Sequence, residues 1–351
     1  MSTFATAKPF KKDFLSLVGN TFGCYDWMKY PIKKEGSKVL KKWQTYIILV
    51  FIMLIWGFNV PALKTLVSEF TPVTITSLRI FTAGMTVFIL LGLMGKIRKP
   101  TAKEFLFIIA GGLLNVVSHH YFLSVGLTGT SSTNGGLILG TGPLLTALMA
   151  TIILRNRPTV IKIIGFLSGS VGVTIIVLSG GEGIGGLKMG DLFIFISIFS
   201  QALSFIIISR AAKTLDPRLL TGYMLVFGSV VLFLISLVTE PGGLKQLGGA
   251  PAWIWVLFFA SAILATAVGH MIYNHSIGKI GAAETSIFLN LNTFFSLLGA
   301  AVFLGETVTI YHLVGLVFIV LGVVCGSGTL EEFVVKRKQK RFLDGKQNHQ
   351  A

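Results

Sequence analysis

"TIILRNRPTVIKIIGFLSGSVGVT" (residues 151–174) returns, much altered, as "AVFLGETVTIYHLVGLVFIVLGVV" (residues 301–324). In register, Leu154 meets Leu304, Thr159 meets Thr309, Gly165 meets Gly315 and Gly172 meets Gly322. A short hinge separates the two apolar runs of each copy. The first hinge is basic, with Arg155 and Arg157; the second is acidic, with Glu306. A duplicated segment that keeps its glycines and reverses its charge asks for a physical reason, and the rest of the chain supplies one.

The 351 residues are 53% hydrophobic and only 13% charged, with a mean hydropathy of +0.79. A soluble domain carries about 25% charged residues. Apolar runs of about 20 residues, the length that crosses a hydrocarbon core, recur along the chain. Such a composition belongs to a multi-pass membrane protein. Lipid offers the backbone no hydrogen bonds, so the spans are expected to be helices. Ten are expected, near 44–67, 72–94, 104–126, 131–153, 160–179, 190–211, 218–238, 252–277, 281–304 and 309–328. Residues 1–43 then form a basic arm, 180–189 a glycine-rich linker and 329–351 a basic tail. "FLSLVG" at 14–19 is too short for the apolar stretch of a cleavable signal.

Of the 30 Lys and Arg, 26 fall in one alternate set of loops together with both termini. The other set holds only Lys64, Lys188 and Lys245, and Arg79 lies inside a span. Cytoplasmic loops carry the excess of Lys and Arg, so both termini are expected in the cytoplasm of a cell-membrane protein. The net charge of +16 is thus topology and not a nucleic-acid footprint. Five spans separate the two copies of the opening segment, and an odd number turns the second copy over. Its hinge then faces the opposite compartment, which accounts for the charge reversal. Other echoes agree: "ALKTL" (62–66) with "AAKTL" (211–215), Pro72 with Pro217, and "YFLSVG" (121–126) with "YNHSIG" (273–278). The expected fold is all-α, with two five-helix repeats, 44–179 and 190–328, inserted upside down relative to each other. Inverted repeats of this kind support alternating access around a midplane site.

The pieces "IWGFNVPALK" (55–64), "TPVTITSLRIF" (71–81), "GPLLTALMATIIL" (142–154) and "FLGETVT" (303–309), in this order over a tandem repeat, resemble the drug/metabolite transporter superfamily, and within it the EamA-type permeases. The likeness covers about 44–328. It departs at Asn156, where the family usually places a Glu, and at Thr293, where it often has the proline that Pro143 supplies. The resemblance implies a small-metabolite permease, most often an exporter, working by alternating access. A passive channel is the alternative reading.

Polar side chains inside spans are costly and face a partner or a water-filled cavity. Trp56 and Asn59 on span 1 are candidates for the cavity wall, and the resemblance points to the same motif. Arg79, the only mid-span cation, could take a substrate carboxylate or hydrogen-bond to carbonyls or Asn59. On span 3, Asn115, Ser118 and His119 share one helical face, with His120 about 100° away. Thr266, His270, Tyr273 and Asn274 form the matching stripe on span 8, while span 6 repeats Ser197, Gln201 and Ser204. The expected substrate site is Trp56, Asn59, Arg79, Asn115, His119, Gln201, Tyr223, His270 and Tyr273. His270 and Glu284 are the candidates for proton coupling; a carboxylate in the first turn of a helix also serves the helix dipole, which is the plainer role for Glu284. The glycine spacings Gly165/Gly169 and Gly322/Gly326 mark spans 5 and 10 as supports or as the face of a homodimer.

Other chemistry is not encoded. "GEGIGG" (181–186) lacks the strand before it and the helix after it that a dinucleotide site requires. Neither HExxH nor GxSxG occurs, and Cys24 and Cys325 form no metal-binding or disulfide pattern. No enzyme, cofactor or metal is expected; the partners are a small-molecule substrate and membrane lipids. The arm interleaves Lys with Phe10, Phe14, Trp27 and Tyr30, a composition for lying on an anionic leaflet or for a disordered tail.

Overall fold

The computed structural model describes residues 35–129, 138–155, 158–178, 188–304, 309–327 and 330. Residues 1–34 of the expected arm, most of the linker, the tail apart from residue 330 and both hinges of the opening repeat (156–157 and 305–308) lie outside the described residues; residues 35–43, expected in the arm, are instead the start of the first helix. No strand occurs among those described. Two units divide at residue 44: the first is described only where it begins a long helix, and the second, 45–351, is the helical bundle.

The helices follow in chain order. α1 is Glu35–Glu69 and α2 is Pro72–Leu93. α3 joins Ala102–Gly111, a π-helical stretch Gly112–Ser118 and His119–Thr128. α4 is Gly142–Leu154, α5 Val160–Leu178, α6 Met189–Ala211 and α7 Pro217–Thr239. α8 joins Ala252–Ala260, a second π-helical stretch Ser261–Val268 and Gly269–Ile280. α9 joins Ala282–Ser286 and Leu289–Leu304, and α10 is Ile310–Gly326. Six helices, within α1, α2, α3, α6, α7 and α8, are long and apolar enough to cross a membrane; shorter apolar helices lie at 138–154, 160–175 and 310–326. The chain is a multi-pass membrane protein.

Local chemistry sets the boundaries. Proline opens α2 and α7, where a missing N–H costs nothing. Thr101 and Glu104 form a reciprocal capping box at the start of α3. Asp216 caps α7 by accepting from the Arg218 N–H at 3.0 Å.

Equivalent helices of the two halves run antiparallel. Glu240, just past the end of α7, accepts from the N–H groups of Val73 and Thr74 at the start of α2, at 2.8 and 2.7 Å. Farther along, Gly84 abuts Val226 and Gly222 faces Val87. In the same way α5 meets α10 with Gly165 on Gly326, Gly169 on Gly322 and Gly172 on Gly315 and Ile319. A Cβ at Gly165 would fall 2.3 Å from the Gly326 nitrogen, so these backbones touch only because both residues are glycine. The glycine faces expected to serve as supports or as the face of a homodimer are turned onto each other inside one chain. Isolated apolar runs cannot show this, because intramolecular and intermolecular glycine faces have the same spacing.

The loops sort into two ends. One end gathers the α2–α3, α4–α5, α6–α7 and α8–α9 turns. There Arg98 donates to the Thr214 carbonyl at 2.9 Å, Arg210 donates to the Ile153 carbonyl at 2.8 Å, and Lys162 pairs with Glu284 at 2.5 Å. The α1–α2 and α7–α8 turns meet at the other end, where Phe70 lies 5.7 Å from Trp255. The first is the basic end of the molecule.

Candidate polar site between the two halves

A polar cluster is buried where α1, α2, α3, α6 and α8 converge. Arg79 of α2, only 4% exposed, donates from Nη1 to Thr266 Oγ1 of α8 at 2.5 Å. Thr266 in turn donates to the Ser261 carbonyl, five residues back, at 3.0 Å. This bond lies within the α8 π stretch, whose wide turn also lets the Ala265 carbonyl accept from Trp56 Nε1 at 2.7 Å. The Trp56 ring packs at a tilt against His270 at 4.9 Å and Tyr273 at 5.1 Å, and Phe205 of α6 lies 5.2 Å from the Tyr273 ring.

The α3–α6 seam is a hydrogen-bond ladder. Asn115, 2% exposed, donates to Ser204 Oγ at 2.8 Å, and Ser118 shares a hydrogen with Ser200 at 2.8 Å. Ser197 Oγ donates to the His119 carbonyl at 2.8 Å and lies 2.8 Å from His119 Nδ1. The one hydroxyl hydrogen is committed to the carbonyl, so Nδ1 carries the ring proton and donates to Ser197. Nε2 is then the acceptor for the Gln201 amide at 2.9 Å. His120 bridges the seams, its ring 4.9 Å from His119 and 6.3 Å from His270. Its buried Nε2 and the buried Tyr273 hydroxyl have no hydrogen-bond partner among the described residues, which leaves them available to a ligand or water.

The structure thus gathers Trp56, Arg79, Asn115, His119, Gln201, His270 and Tyr273. Asn59 is half-buried on α1 and makes no hydrogen bond among the described residues. Tyr223 does not join the cluster. It donates to the Arg98 carbonyl at 3.0 Å and meets Phe88 edge-on at 5.0 Å, at the basic end. Glu284 is also at the basic end, held by Lys162. Sequence reasoning set His120 aside because it assumed 100° per residue. In the structure both histidines reach the cluster, His119 toward Gln201 of α6 and His120 toward His270 of α8. Phe205 and Ser200 were missed because, inside a span, an aromatic or a serine reads equally well as core packing.

The basic end has its own electrostatics. Arg98 forms a two-point contact with Glu104 at 2.7 and 2.8 Å, and this hydrogen bonding holds the guanidinium pKa above its ordinary value. At Asp216, partial burial pushes the carboxyl pKa up, but the Arg218 side chain and N–H outweigh it and the net shift is downward.

Comparison with known proteins agrees with this architecture. The EamA-like transporter family matches residues 43–178 and again 188–327. The chain is 30% identical over 295 residues to the uncharacterized transporter YyaM of Bacillus subtilis, covering 83% of this chain and 96% of YyaM. It is 27% identical over 284 residues to an uncharacterized transporter of Archaeoglobus fulgidus, covering 81% and 98%. A solved crystal structure shares the fold, with a TM-score of 0.67 at 16% identity over 82% of this chain and 97% of that one. The chain belongs to the EamA-like transporter family and is a membrane transporter, not an enzyme.

Proposed function

We propose that the protein is a secondary-active exporter of a small polar or amphipathic metabolite such as an amino acid, working by alternating access. Ten helices would cross the cell membrane as two five-helix repeats in opposite orientation, with the basic end and both termini in the cytoplasm. The antiparallel pairing of α2 with α7 and α5 with α10 supports that arrangement. The observation that carries the reading is the buried polar cluster drawn from both halves, with Arg79 on Thr266 and His119 on Gln201. Buried polar groups at a repeat interface are costly unless they pair with one another or a solute or water uses them, and here His120 Nε2 and the Tyr273 hydroxyl have no such pairing among the described residues. In this reading the substrate meets Arg79, His120, His270 and Tyr273, with Trp56, Asn115, His119 and Gln201 holding them in place.

Proton exchange would draw on His270 within the cluster rather than on Glu284, which is engaged by Lys162. Self-association would use the lipid-facing sides of α5 and α10, where Ile164 and Val317 are exposed. The test is counterflow in proteoliposomes, with metabolites first narrowed by profiling the medium of overexpressing and deletion cells. A transporter saturates and exchanges labelled for unlabelled solute. Flux that rises linearly with concentration and shows no counterflow would identify a passive facilitator instead.

A further inference from the structure

A cavity lies away from the polar cluster, at the basic end. It has a volume of about 270 Å³, just below the usual ~300–1,000 Å³ of small-molecule sites. α4, α5, α6 and the α8–α9 turn enclose it. Its lining includes Lys162, Ser209, Arg210, Lys213 and Glu284, so three cations face one carboxylate. Arg210 donates to the Ile153 carbonyl at 2.8 Å, it and Lys213 are exposed, and neither has a carboxylate partner among the described residues. Lys162 and Glu284, each about four-fifths buried, join α5 of one half to α9 of the other.

Two helices connect this cavity with the polar cluster. On α6, Ser209 is eight residues beyond Gln201, about 12 Å along the axis. On α8, Ile280 is seven residues beyond Tyr273, about 10 Å. A solute moving along these helices from the basic end meets the cations first and Arg79 afterwards.

We propose that this cavity is an anion-docking site, in which Lys162, Arg210 and Lys213 receive the carboxylate or phosphate group of the transported solute and Glu284 competes with it for Lys162. The proposal rests on the transport reading above and adds a substrate class to it: solutes that carry an anionic group. The Lys162–Glu284 pair then acts as a latch between the halves. An arriving anion takes over Lys162, and the link between α5 and α9 loosens where the two halves must separate.

The test places a thiol in the cavity by Ser209→Cys in the full chain, purified in detergent. Labelling by small methanethiosulfonate reagents is scored as the difference from the parent, so Cys24 and Cys325 cancel. Relative to their rates with a free thiol in solution, a negatively charged reagent should react roughly tenfold faster than a positively charged one, as a cavity lined by two surplus cations requires. Lys162→Gln with Arg210→Gln should bring the ratio close to one, and Glu284→Gln should raise it. A ratio near one in Ser209→Cys itself, or one that falls with Glu284→Gln, overturns the proposal. Inorganic phosphate and succinate at millimolar concentration identify the group: slowing by either supports the site, and slowing by neither overturns it. Intact counterflow with a ratio near one would remove the anion site alone. Absent counterflow with the charge preference intact would remove the transport reading and leave the anion site.

Discussion

Arg79 shows what one residue can impose on a bundle. A guanidinium inside a span must find partners, and Thr266 alone occupies one of its five donors. If Arg79 serves the solute, Arg79→Gln lowers counterflow by about tenfold or more, since a hydrogen bond to a charged group contributes ~1.5–3 kcal/mol. Arg79→Lys should also be impaired, because a point charge does not reproduce the planar fork. Unchanged counterflow in Arg79→Gln, with a lowered melting temperature, would assign the residue to packing. Trp56 belongs to the same scale. Trp56→Phe keeps the ring contacts with His270 and Tyr273 but removes the donor to the Ala265 carbonyl. It should cost ~1 kcal/mol, read as a small drop in the thermal midpoint in detergent. A Phe variant as stable as the parent would mean that the carbonyl is satisfied without the indole.

At the scale of elements, the pair α5–α10 is the clearest case. Gly322 sits with its Cα against Gly169, where an added Cβ would come 2.6 Å from the Gly169 nitrogen. Gly322→Leu therefore forces two backbones apart and should destabilise by at least ~1–3 kcal/mol, visible as early loss of monodisperse protein on heating. Val317→Ala on the exposed side of the same helix should change little. Equal effects of the two would contradict the packing described. The two π stretches belong here as well. They occupy the middle of α3 and of α8, the equivalent helices of the two halves. Nothing in the apolar pattern announces them, because a π stretch differs from an α-helix in backbone register and not in composition.

For the molecule as a whole, the alternation of loops between two ends is the testable feature. Lys96 and Lys245 are both exposed and lie at opposite ends of the bundle. In intact cells an impermeant thiol reagent should label Lys245→Cys and spare Lys96→Cys; permeabilised cells should expose both. Labelling of both from outside would undo the inverted arrangement and the transport reading with it. The basic end also concentrates the loop-to-loop contacts of Arg98, Lys162 and Arg210, so transport that opens this end has to break them.

The sequence by itself determined the membrane class, the helical fold class, the approximate helix boundaries and most members of the polar cluster. Those follow from hydropathy, from charge asymmetry and from the cost of polar groups in lipid, all of which act locally along the chain. Tyr223 and Glu284 were legible only as polar residues inside spans, one read as a substrate contact and the other as a proton-coupling candidate, and the tertiary structure decided that they belong to the basic end. The tertiary structure also decided that the glycine faces of α5 and α10 meet each other, and that His120 turns toward His270. These depend on which helix lies beside which, and on backbone register within a helix, and a linear pattern of residue types leaves both open.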